Sequence, residues 1–152
     1  MKFEDVLEEL NEKVNFFKIS PNELYHVTKS RNVKSIQKKG IIPRERPEYQ
    51  GSWGQDIRMK KDVVYAFETF GSAYAFAHRF AWDGKTKMSI LTFKKSGKWA
   101  EDKHWEAQMA KPTGRWLYRK GEIPPEDIIK VEPFDIKMAK DFIKQRDAKE
   151  KK

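Results

Sequence analysis

Two residues able to hold or pass a proton stand inside apolar runs of this chain, where a polar side chain needs a reason. His26 interrupts Leu24-Tyr25-His26-Val27-Thr28, and Tyr65 lies within Val63-Val64-Tyr65-Ala66-Phe67. Both runs have the length and the β-branched or aromatic content of strands. An imidazole and a phenol in such settings can donate, accept or exchange a proton, and the two together suggest a site between strands. Glu106, in His104-Trp105-Glu106-Ala107-Gln108, is an acid in a mixed segment further along. Each residue also has a plainer reading: a hydrogen-bonded strand histidine, a core tyrosine with its hydroxyl at the surface, a solvated loop acid.

Other chemistries are poorly supplied. The chain has no cysteine, which removes disulfides, thiolate nucleophiles and cysteine-ligated zinc. His26, His78 and His104 are too dispersed for a zinc site, so no metal is expected. Neither a glycine-rich phosphate loop nor a nucleophile elbow is present.

The elements that must position His26 and Tyr65 follow from the punctuation around them. Residues 2–14 place Phe3, Val6, Leu7, Leu10 and Val14 on one helical face. After the turn at Ser20-Pro21-Asn22 comes the His26 strand. Ser30 is then placed to cap a short helix with Val33 and Ile36 inward, stopped by Gly40 and closed by Pro43. A long loop to residue 61 carries Arg44, Arg46, Arg58, Lys60 and Lys61 with Tyr49 and Trp53. Loops longer than packing needs are often functional. The Tyr65 strand follows, and Thr69 is placed to cap a helix to about Trp82, with Ala73, Phe76, Ala77 and Phe80 inward. Further strands are expected at Met88 to Phe93, Arg115 to Arg119 and Ile128 to Val131. Asp135 opens a last helix with Ile136, Ala139, Phe142 and Ile143 on one side, and residues 147–152 form a flexible basic tail.

At 152 residues, with 10 Phe, 5 Tyr and 5 Trp, the chain suits one domain built on large side chains, residues 1–146. The 32 Lys and Arg against 23 acids give a formal charge of +9, which favours phosphate-bearing or acidic partners. No run approaches the roughly 20 apolar residues of a membrane span, and the first residues lack the apolar core of a secretory signal. A soluble, cytoplasmic protein without a membrane partner is the expectation.

Taken in order, Leu24-Tyr25-His26-Val27-Thr28, Asn32 to Ile41, Val64-Tyr65-Ala66-Phe67 before an alanine-rich helix, and Gly121-Glu122-Ile123-Pro124-Pro125-Glu126-Asp127-Ile128 resemble small ADP-ribosyltransferase-like domains of the diphtheria-toxin and poly-ADP-ribose-polymerase type. The resemblance covers roughly residues 24 to 132. It implies an α+β fold with two small antiparallel-rich sheets around a cleft and helices outside. It also implies NAD as co-substrate and transfer of ADP-ribose to an unidentified macromolecular acceptor. Carried over, His26 orients the ribose, Val27 presents its backbone to the nicotinamide amide, and Thr28 supplies the next hydroxyl. Tyr65 lines the pocket, and Tyr74 or Phe76 stacks on nicotinamide. Arg44 and Arg58 meet the pyrophosphate, guanidinium forks being suited to phosphate oxygens. The family's pattern of His, Tyr and Glu places its acid near Gly114 or Arg115, where this chain has none; a carboxylate there stabilises the oxocarbenium-like sugar, and Glu106 takes the role, with Asp102 and Glu122 as poorer candidates. Two other readings share these residues: an NAD-dependent RNA 2'-phosphotransferase, and a catalytically inactive module that binds nucleic acid or an acidic protein.

Overall fold

The computed structural model describes residues 15–43, 62–81, 84–103 and 113–150. The expected helix at residues 2–14 and the basic loop, with Arg44, Tyr49, Trp53 and Arg58, lie outside them. The described fold is α+β. Six strands form one antiparallel sheet: β1 (Glu23–Lys29), β2 (Val63–Phe67), β3 (Met88–Lys94), β4 (Ala100–Glu101), β5 (Trp116–Lys120) and β6 (Ile128–Pro133), in the order β4-β5-β2-β1-β3-β6. Three helices accompany it: α1 (Val33–Lys39), α2 (Phe70–Ala81) and α3 (Ile136–Glu150).

The two sheets that the resemblance implied are joined here into one, through a narrow seam. β1 pairs with β3 over seven residues and β2 with β5 over five, whereas β1 and β2 share one register pair, Tyr25 with Phe67. The sheet is thus two triplets, β4-β5-β2 and β1-β3-β6, hinged on that pair.

Strand alternation sends residues to two cores. On one face Val27, Phe67, Ile90, Met88 and Trp116 pack against Ala73, Tyr74, Phe76 and Ala77 of α2 and Ala139 and Phe142 of α3. On the other, Leu24, Val64, Ala66, Phe93 and Leu117 pack with Ile41 and Ile123, with Ile36 of α1 and Trp99 at the margin. The helix periodicity expected around Phe76 and Phe142 is therefore the packing stripe of α2 and α3.

The caps show how local chemistry sets these elements. Thr69 Oγ1 accepts the Ser72 amide at 3.1 Å, and Asp135 Oδ1 accepts the Lys137 amide at 2.8 Å, so both helices start where a side chain satisfies an orphan N–H. Ser30 does not act this way. It opens a 3-10 turn, and its hydroxyl bonds Ser89 Oγ of β3 at 2.7 Å instead. Gly40 ends α1 at φ +86°, and a Cβ there would lie 2.1 Å from the Ile123 carbonyl oxygen, so only glycine admits the Ile41–Ile123 bridge. The tail expected from residue 147 continues α3 as helix through Glu150.

Candidate functional site

His26 stands where β1 and β2 part. Its register partner on β3 is Leu91, so its ring leaves the sheet on the face of Leu24, opposite to Tyr25 and Val27. Nδ1 lies 2.7 Å from the backbone carbonyl oxygen of Tyr65. A carbonyl only accepts, so Nδ1 carries the proton in this bond. A side chain thereby makes the contact between strands one residue past their single backbone pair.

The Tyr65 ring projects to the opposite face, half-buried against Trp116 and Tyr118 with centroids 6.0 and 6.1 Å away. Its hydroxyl donates to Asp102 Oδ2 at 3.3 Å. Asp102 is 5% exposed, and its amide bonds the Trp116 carbonyl at 2.7 Å, so β5 fixes the backbone that carries the carboxylate. The sequence ranked Asp102 below Glu106 as the acid. Yet Asp102 is the acid seen at the tyrosine, while Glu106 lies outside the described residues. His26 and Tyr65 are thus joined through a carbonyl at the seam, and their side chains serve opposite faces.

A second carboxylate escaped the sequence reading. Glu68 follows directly on β2 and is 5% exposed. Its Oε2 accepts Arg115 Nε at 2.8 Å and Nη2 at 2.5 Å, its Oε1 accepts the Arg115 amide at 3.2 Å, and its own amide donates to the Arg115 carbonyl at 3.1 Å. Burial would raise the Glu68 carboxyl. The Arg115 hydrogen bonds and charge, helped by Lys95, outweigh burial and hold it below the ordinary range. Arg115 stands near the place where the resemblance expects an acid, and that place is answered by an acid from the neighbouring strand. The signal was an acid just after an apolar strand; its arginine partner, 47 residues away, is set by the β2–β5 register. Beside the pair, the hydroxyls of Thr69, Ser72 and Thr113 bond one another at 2.9 to 3.1 Å.

The remaining expected contacts distribute differently. Val27 is buried toward the helices, and Thr28 is buried on the other face, with Asn32 Nδ2 at a long 3.5 Å from its hydroxyl. Tyr74 is 1% exposed, packed against Phe70 and Phe134 at 4.8 and 5.1 Å, with its hydroxyl 3.4 Å from the Asp135 amide. Burial pushes that phenol up to about 12. Phe76 is 4% exposed between Phe67 and Trp116. Neither ring offers an open face for stacking; both are used in packing α2 to the sheet. Arg44 and Arg58 lie outside the described residues.

Compared with protein-family models and with curated proteins, the chain matches none. A functional reading therefore stands on the seam residues themselves.

Proposed function

We propose that the protein binds NAD at the β1–β2 seam and transfers ADP-ribose to an acceptor. The observation that carries this reading is the His26 imidazole held by Nδ1 on the Tyr65 carbonyl, one step from the Tyr65–Asp102 pair. In a neutral ring with Nδ1 so engaged, Nε2 carries the lone pair, and that atom is assigned here to a ribose hydroxyl. The two side chains serve opposite faces, so a ligand that touches both lies where the strands part beyond the Tyr25–Phe67 pair. Cleavage of the nicotinamide–ribose bond leaves an oxocarbenium-like sugar, which a carboxylate stabilises. Asp102 supplies it at the tyrosine, and Glu106, four residues along, is the second source. Thr28, on the same face of β1 as His26, continues the ribose side, Val27 contributes its backbone only, and Arg44 and Arg58 are assigned to the pyrophosphate. The co-substrate is NAD and the acceptor is macromolecular.

The test is calorimetric titration with NAD beside a mass-spectrometric assay for released nicotinamide. Binding with release supports the transferase, and His26→Ala with the fold retained then abolishes turnover. Absence of NAD binding overturns it.

The inactive interaction module has one specific observation in its favour. The strand position expected to hold an acid carries Arg115, already tied to Glu68. That reading expects no nicotinamide release whatever the acceptor supplied.

A further inference from the structure

Away from the seam, β6 ends the sheet beyond β3, and among the described residues no strand lies outside it. It pairs inward through Ile128, Lys130, Val131, Glu132 and Pro133, and the register skips Ile129 in a bulge opposite Thr92 and Phe93. The outer side is open to water. Ile129 is 56% exposed, and the Lys130 and Glu132 side chains are 62% and 28% exposed. Such an edge presents backbone N–H and C=O groups that another strand can pair.

The order of residues along this edge is self-complementary. Lys130 and Glu132 face the same way, opposite Thr92 and Ile90 of β3, with Nζ 2.5 Å from Oε1; Val131, opposite Leu91, faces the other way. Let two copies of β6 run antiparallel about a two-fold axis at Val131. Val131 then meets the partner's Val131, Lys130 meets the partner's Glu132, and Ile129 meets the partner's Pro133. Opposite charges and apolar side chains each find their kind, the cross-strand pairs that stabilise a sheet. Other registers fail. An axis at Lys130 or at Glu132 sets like charges against each other, and an axis between residues sets both charges against apolar side chains.

The Ile129 bulge and Pro133 are devices that shorten an edge, and here they confine pairing to the stretch between them. A two-fold contact uses the same edge of both copies, so it closes at a dimer and does not propagate. The opposite edge, β4, is only Ala100–Glu101 and offers no comparable ladder.

We propose that the protein forms a two-fold dimer by antiparallel pairing of β6 about Val131, which joins the two sheets into one. The interface is separated from β1 and its His26 by β3, so it stands without the NAD reading.

The experiment is sedimentation equilibrium of the full chain over a micromolar concentration series, where the parent is expected to show a reversible monomer–dimer equilibrium. Lys130→Glu and Glu132→Lys each place like charges across the axis and are expected to weaken the dimer by roughly tenfold. Lys130→Glu does so although it lowers a net charge of +9, a change that by itself favours self-association. An equimolar mixture of the two variants restores opposite charges across the axis and is expected to recover the parent's association, while neither chain regains its internal ion pair. Lys144→Glu on α3 changes the same charge elsewhere and is expected to associate as the parent does, and thermal melts check that every variant stays folded. A parent that stays monomeric would overturn the proposal and leave β6 to an extended segment of another protein. Unchanged association in the single variants, equal weakening by Lys144→Glu, or no recovery in the mixture would each overturn it too.

Discussion

Glu68 and Arg115 clasp each other through both backbone and side chain: the carboxylate accepts the arginine's amide and guanidinium, and the glutamate's amide returns a bond to the arginine's carbonyl. The glutamate side chain is 6% exposed and the arginine 50%, so water screens one partner of the pair and not the other. Removing the exposed partner leaves a buried carboxylate without its charge-assisted donors. Arg115→Ala should destabilise the protein by about 1–2 kcal/mol, a range kept low because solvent reaches the guanidinium. Chemical denaturation at neutral pH measures it.

The same pair sets an acid-side dependence. The folded carboxyl of Glu68 is depressed relative to its ordinary value of 4.5, so its contribution is present above that pH and is lost as pH falls through the folded value. Melting temperatures taken from pH 6 downward should therefore decline more steeply in the parent than in Arg115→Ala. Parallel declines would show that the pair carries no such linkage.

At the alkaline end Tyr74 should behave oppositely. Its phenol is raised from 10.0 to about 12, chiefly by burial, so the stability it contributes is complete below pH 10 and is lost as pH rises toward 12. Ultraviolet titration should show a late-ionising tyrosine that disappears in Tyr74→Phe.

His26→Asn separates the structural task of the imidazole from the chemical one. An asparagine amide can replace the Nδ1 donor to the Tyr65 carbonyl but has nothing at the place of Nε2. The variant should melt within a few degrees of the parent, corresponding to about 1 kcal/mol or less, and should lose NAD binding. Retained NAD affinity would exclude Nε2 as the ribose contact.

Asp102→Asn tests the acid at Tyr65. The amide keeps an acceptor for the tyrosine hydroxyl and removes the negative charge. Nicotinamide release should fall by about 10²-fold with little change in NAD affinity, as expected of a group that acts on the transition state. A rise in Kd without a fall in turnover would make Asp102 a binding residue.

Five of the six strands, the two long helices, and the caps at Thr69 and Asp135 were legible because their causes are local; the two-residue β4 was not, because only its pairing with β5 makes it a strand. Alternation, turn residues and a side chain that satisfies an orphan amide act within a few residues of one another. So was the placing of His26 and Tyr65 on adjacent strands. Ser30 misled because its hydroxyl found a partner on β3, 59 residues away, that no local rule contains. Tyr74 and Phe76 show the ambiguity of a helical stripe: spacing marks an inward face, but the packing of Phe67, Trp116 and Phe134 determines whether anything besides protein reaches it.

What the amino-acid order determined by itself was the α+β character, the strand positions of the histidine and tyrosine, and an excess of positive charge. Only the tertiary structure decided which acid meets Tyr65, that Arg115 is answered by Glu68, and that His26 and Tyr65 serve opposite faces of one hinged sheet. The reason is register. Contacts across 37 to 47 residues depend on how β2 aligns with β1 and β5, and a one-residue slip would turn every one of these side chains to the other face.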